Sequence, residues 1–287
     1  MNKKRFALAS AIGALILSTS ITSNAATTYT GTSTVPLWMT NDTVINNGDV
    51  ILISNENRCA IWENGGTFTN NGSIQYNVAG GGFKQTGIYV YGSAPVAINN
   101  GLLKMSNTSA TPGTANKVLY GYESWGGANG RYENNGTIDL YSNNIYYIIG
   151  MMAYNGDNIS AVNSSSGIIK VVNDNPNALS VTGISGTAVT NNGKIDITST
   201  SGEHVFGIGG YGSVINNGTV DVITTSSGGT YGIYSAATGT AINNANINVT
   251  GISATKSNIV FGMVGGIAKN SSTGVITVNS DYGVGMV

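Results

Sequence analysis

Val214-Ile215-Asn216-Asn217-Gly218-Thr219-Val220-Asp221-Val222 is the stretch on which the fold turns, because it recurs along the chain. Asn-Asn-Gly stands with its glycine at Gly48, Gly72, Gly101, Gly136, Gly193 and Gly218. A seventh copy ends in Ala245, and two longer copies, Asn-Ser-Ser-x-Gly, end at Gly167 and Gly274. Successive copies lie 24 to 35 residues apart, about 28 on average. Two residues after the corner stand Val50, Ile74, Leu103, Ile138, Ile169, Ile195, Val220, Ile247 and Ile276. Four after it stand Leu52, Tyr76, Met105, Leu140, Val171, Ile197, Val222, Val249 and Val278. The residue between them is polar in every copy except Ile51. Alternation with a period of two, in β-branched residues, specifies a strand with one face inward.

A second element lies between these strands. Glycine followed by an apolar or aromatic residue recurs at Gly87-Ile88, Gly121-Tyr122, Gly150-Met151, Gly183-Ile184, Gly207-Ile208, Gly232-Ile233 and Gly262-Met263. Another apolar stretch runs into the next corner, as at Ala97-Ile98 and Val214-Ile215. Each repeat therefore holds about three short strands. A repeat of this length that winds once and stacks on its predecessor makes a parallel β-helix, an all-β solenoid of about nine coils, right-handed by the rule for parallel crossovers. At ~4.8 Å per coil the rod is roughly 45 Å long. Register stacking turns the second asparagines, Asn47, Asn71, Asn100, Asn135, Asn192, Asn217 and Asn244, into a structural ladder. Asn and Gly also suit a left-handed corner. A β-hairpin reading of Asn-Gly explains neither the inward columns nor the spacing.

Composition narrows the function classes. Of 287 residues, 41 are Gly and 37 Asn, while 9% are charged, against roughly 25% in an ordinary domain. One Cys excludes a disulfide framework and a multi-Cys metal site, and Cys59, in Cys-Ala-Ile-Trp, reads as a small core residue. A formal charge of −1 gives no basic footprint for nucleic acid.

Residues 1–25 read as a secretory signal peptide: Lys3, Lys4 and Arg5, an apolar run from Phe6 to Ile21, then Ser23-Asn24-Ala25, with cleavage between Ala25 and Ala26. A membrane anchor fits less well, because Ser10, Ser18 and Ser20 interrupt a run already short of the ~20 residues of a span. Residues 26–43 are then an N-terminal segment or cap, and 44–287 the β-helix. Trp38 and Trp62 are expected to cover the first coil. The sequence stops partway through a repeat, at Tyr282-Gly283-Val284, which predicts a C-terminal continuation.

An export signal followed by Val44-Ile45-Asn46-Asn47-Gly48, Ala97-Ile98-Asn99-Asn100-Gly101 and their relatives resembles the passenger domain of a bacterial autotransporter, a type V secreted surface protein. The resemblance covers 44–287. It implies a right-handed β-helix, passage through the outer membrane with a translocator as partner, and display at the cell surface or release outside the cell. The C-terminal β-barrel of that family has no counterpart in this sequence. The function expected is a non-catalytic adhesin or stalk contacting a glycan or protein of a host or bacterial surface. The alternatives are a polysaccharide lyase or hydrolase, and a structural spacer or self-associating fibre.

For an enzyme, the best carboxylate pair is Asp196 and Asp221, which the repeat places in one outward column on adjacent coils. The same column holds Lys104, Asp139 and Lys170, as a solvated face would. His204, the only His, has no second ligand for zinc and no serine partner for a triad. Ala79-Gly80-Gly81-Gly82 lacks the Lys-Ser/Thr of a phosphate loop, and Asp157 lacks the alternating acids of a calcium loop. No catalytic residue, metal or cofactor is therefore expected. A crowd of aromatics, with Tyr120, Tyr122, Trp125 and Tyr132 as candidate ligand-binding residues, follows the longest repeat, which carries an insertion at 106–117. Aromatic packing inside the coil is the competing reading.

Overall fold

The computed structural model describes residues 26–53, 59–78, 84–108, 118–125, 129–154, 159–175, 177–200, 203–225, 228–252 and 259–287. Residues 1–25, read above as a signal peptide, most of the insertion (109–117), the glycine run from Gly80 and Asp157 lie outside the described residues.

Among the described residues the only regular elements are strands, wound as a parallel β-solenoid of about eight turns with three strands per turn. One turn runs Tyr147–Tyr154, Ser160–Asn163 and Ile168–Asn173. The third strands form a ten-stranded parallel sheet from Thr32–Ser33 to Val275–Asn279. The first and second strands count as one sixteen-stranded sheet, because single long strands such as Ser180–Asn191 and His204–Asn216 supply both. Parallel pairing already begins at Thr27–Tyr29, which pairs with Val44–Asn46.

The inward columns stand where the alternation puts them. From Val50 and Leu52 to Ile247 and Val249 the two columns after the corner are at most 1% exposed. In the last turn Ile276 and Val278 are partly buried against the same core. Ile195→Ala is therefore expected to cost about 3 kcal/mol, whereas Ile51→Ala, on the outer face, should change stability by less than about 1 kcal/mol. Urea unfolding followed by circular dichroism measures both.

Glycine does two steric jobs in this fold. At the Asn-Asn-Gly corner, a Cβ on Gly72 or Gly101 would stand 1.9 Å from the carbonyl oxygen of the corner glycine one turn before. The left-handed corner expected from the sequence is not what the chain adopts: among the described residues positive φ falls on Asn41, Gly65, Gly66, Gly92, Ala94 and Asn129. The corner glycines are there because backbone stacks on backbone. Ala245 shows the consequence. The Asn246 amide reaches the Gly218 carbonyl at 3.2 Å, against 2.9–3.0 Å for Ser73, Leu102, Thr137 and Thr219 at the equivalent contact.

The Gly-apolar element has a different reason. A Cβ on Gly183 would meet Ile195 Cγ2 at 2.5 Å and the Gly207 carbonyl at 2.6 Å, and Gly121, Gly150, Gly207, Gly232 and Gly262 meet their counterparts likewise. The ladder pairing skips this position, and the residues two before and one after it, such as Val181 and Ile184, are both buried. Here the first strand changes the phase of its alternation while pressing against the third-strand column.

The asparagine ladder is double. The second asparagines bond along the exposed edge: Asn71 Nδ2 donates to Asn47 Oδ1 (2.9 Å), Asn100 to Asn71 (2.8 Å), Asn135 to Asn100 (2.9 Å), Asn217 to Asn192 (2.8 Å) and Asn244 to Asn217 (2.7 Å). The first asparagines form a second column inside. Asn46, Asn70, Asn99, Asn134, Asn163, Asn191, Asn216 and Asn243 are fully buried. Each donates Nδ2 to the Oδ1 of the next at 2.7–2.8 Å, ending on Asn270. The outer ladder donates toward the N-terminal turn and the inner one toward the C-terminal turn, so their dipoles oppose. Only the inner ladder runs unbroken through the Asn-Ser-Ser-x-Gly corners. There Ser166 and Thr273 hydroxyls donate instead to the carbonyls of Asn135 and Asn244.

Candidate functional surfaces

Asp196 and Asp221 stand opposite each other in register on the outer face. Lys194 bridges them, its Nζ 3.1 Å from Asp196 Oδ2 and 3.5 Å from Asp221 Oδ2. The Asp196 hydrogen bond and charge, followed by Asp221, raise the lysine above its ordinary pKa. Asn248, next in the column, donates to Asp221 Oδ1 at 2.8 Å. One exposed cation is thus shared between the two carboxylates. This is the mixed-sign ladder of a solvated sheet face.

The four aromatic candidates separate. Tyr122 and Tyr132 are 1% and 2% exposed and belong to the core, which overturns their reading as ligand-binding side chains. Tyr122 occupies the column of Ile88, Met151 and Ile184, and Tyr132 the column of Ala97 and Ala161. Tyr120 is half-buried on the outer face, with the Lys84 ammonium 5.5 Å from its ring centroid. Trp125 closes the strand Val118–Trp125, and its side chain lies outside the described residues.

Trp38 and Trp62 do not cap the first coil. They stand side by side on the outer face, ring centroids 5.3 Å apart and tilted by 43°, and Tyr89 continues their column. A second outer column, Phe206, Tyr231 and Phe261, stacks nearly flat at 5.0 and 5.3 Å. Those rings are half-buried and cover each other's faces. His204 is exposed beside Phe206, its ring 5.9 Å away. Cys59 is buried, and desolvation, with Glu123 adding to it, pushes its thiol up to about 11, where it is inert as a nucleophile.

Two acids are buried between the first turns. Glu123, 2% exposed, pairs with Lys84 and accepts from Thr86 Oγ1 at 2.9 Å. Desolvation raises its pKa, and Lys84 and Thr86 offset part of that rise. Glu63 is fully buried, and neither carboxylate oxygen has a hydrogen-bond partner. Desolvation alone pushes it up to about 8. Its column runs Met39, Glu63, Val90, Ser124. The Tyr122 hydroxyl is also buried without a partner, and Glu63 contributes to the raised pKa of both Tyr122 and Tyr132.

No protein-family model, curated protein or solved structure matches this chain.

Proposed function

We propose that the chain is an exported, surface-displayed rod of the autotransporter-passenger kind, acting as a non-catalytic adhesin or stalk. The observation that carries this reading is the inner asparagine ladder, continuous from Asn46 to Asn270 across eight steps. It ties successive turns into one extended body of roughly 38 Å at the spacing of parallel strands. The sparse charge, the outer ladders of short polar side chains and the signal-like residues 1–25 support a rod built to be exported and to hold something away from a surface.

The test is to express the full chain in a bacterial host, follow removal of residues 1–25, locate the product by protease shaving of intact cells, and measure adhesion of those cells to host-cell monolayers. Export with added adhesion is the expected result; retention of the product in the cytoplasm sinks the reading. Asp196→Asn together with Asp221→Asn should leave adhesion unchanged and shift stability by no more than about 1 kcal/mol, because both carboxylates are half-buried on the outer face, within reach of solvent. Loss of a polysaccharide-cleaving activity in that double variant would favour the enzyme instead.

A further inference from the structure

The first turns carry an outer surface unlike the rest of the rod. Trp38 is 58% exposed and Tyr91 45% exposed, and both belong to one small patch. In register across three turns, the patch reads Trp38 and Thr40, then Trp62 and Asn64, then Tyr89 and Tyr91. Each aromatic of the first column thus has a polar or phenolic neighbour two residues on, pointing to the same side. Trp62 lies against one side of Trp38. The described pairing of the strand Leu37–Asn46 with a preceding turn covers only Val44 to Asn46, so among the described residues no preceding strand pairs at Trp38.

We propose that this strip binds a neutral polysaccharide, with one pyranose ring on the open side of Trp38 and the following sugars running down the Trp62–Tyr89 column. The inference rests on the surface-contact reading above and names its ligand. Indole and phenol rings offer apolar surface to the C–H face of a sugar, and Tyr91, Thr40 and Asn64 offer hydroxyl and amide groups to its equatorial hydroxyls. The 5.3 Å between the two indole centroids is comparable with the length of one sugar unit. Charge favours a neutral chain: Lys84, the cation beside Tyr89, is already paired with Glu123. Size favours a sugar over a protein. The patch spans roughly 7 Å by 10 Å between its outer Cα atoms, far below the roughly 800 Å² per partner of a stable protein interface. The Phe206–Tyr231–Phe261 column does not qualify, because its rings are spent on one another.

Titrating the full chain with cellohexaose and with chitohexaose, read by tryptophan fluorescence and calorimetry, tests this. The expected result is saturable binding of at least one of them, insensitive to salt, weakened about tenfold or more by Trp38→Ala and several-fold by Tyr91→Ala. Tyr211→Ala, at an exposed tyrosine outside the strip, should leave it unchanged. Tyr91→Ala keeps the test decisive if Trp38→Ala fails to fold. Absence of binding by both sugars at millimolar concentration overturns the proposal. So does binding that survives both substitutions, or a salt-sensitive preference for polygalacturonate. Adhesion without binding of either sugar would remove this site and leave the adhesin reading standing; sugar binding without adhesion would do the reverse.

Discussion

Glu63→Leu should make the protein more stable than the parent at pH 8 to 9, by on the order of 3–5 kcal/mol, and should flatten its dependence on pH. The cause is a carboxyl group enclosed by the solenoid with no donor for either oxygen. Desolvation pushes it up to about 8, from the 4.5 of an ordinary glutamate. No cation figures among the causes, and the neighbouring titratable groups that feel it, Tyr122 and Tyr132, are buried phenols. Between those two values the unfolded chain is ionised while the folded chain still holds its proton. Unfolding then releases a proton, so stability falls as pH rises from about 4.5 to about 8 and levels off above that. At 1.36 kcal/mol per unit the full loss approaches 5 kcal/mol. Leucine removes both the titration and the unsatisfied group, whereas Glu63→Gln removes only the titration and should recover less. Urea unfolding at pH 5, 7 and 9 reads the slope directly. A parent protein no less stable at pH 9 than at pH 5 would show that Glu63 finds a partner in solution.

The sequence carried most of the fold because the solenoid repeats its chemistry. Eighteen inward positions were legible from alternation after nine corners, and the Asp196–Asp221 register followed from counting. The corner itself was only half legible. Seven corners carry both asparagines and do not say which one turns inward; the two Asn-Ser-Ser-x-Gly copies hold the clue, because there only the first asparagine persists. Tyr122 could have been placed from sequence: aligning the Gly-apolar elements puts it in the column of Ile88, Met151 and Ile184, a core column. Glu63 was hidden for a physical reason. Its turn carries Ala60 where the next turn carries the marker Gly87, so Glu63 had no sequence anchor of its own to align it with Val90. The Trp38–Trp62 pair was misassigned for the same reason, its side of the strand being fixed only once that register is known.

Asn191→Leu should be among the most damaging single substitutions in the molecule, costing about 3–6 kcal/mol, while Asn192→Ala next to it should cost about 1 kcal/mol or less. Asn191 Nδ2 donates to Asn216 Oδ1 at 2.8 Å and to the Thr219 carbonyl at 3.2 Å, and its Oδ1 accepts from Asn163 Nδ2 at 2.8 Å. Leucine severs the ladder in both directions within a fully buried column. Each orphaned polar partner then pays about 1–3 kcal/mol of desolvation with nothing in return. The outer Asn192 accepts from Asn217 at 2.8 Å on an exposed edge, where water replaces the lost partner. The inner break also separates the turns before Asn163 from those after Asn216, and in a stack held by nearest-neighbour interfaces such a weak joint lets the two parts unfold apart. Hydrogen exchange should therefore show protection falling on both sides of Asn191, and unfolding of the Asn191→Leu variant should broaden into two steps. If both variants unfold like the parent in a single transition, the inner ladder fills space rather than binding the turns together.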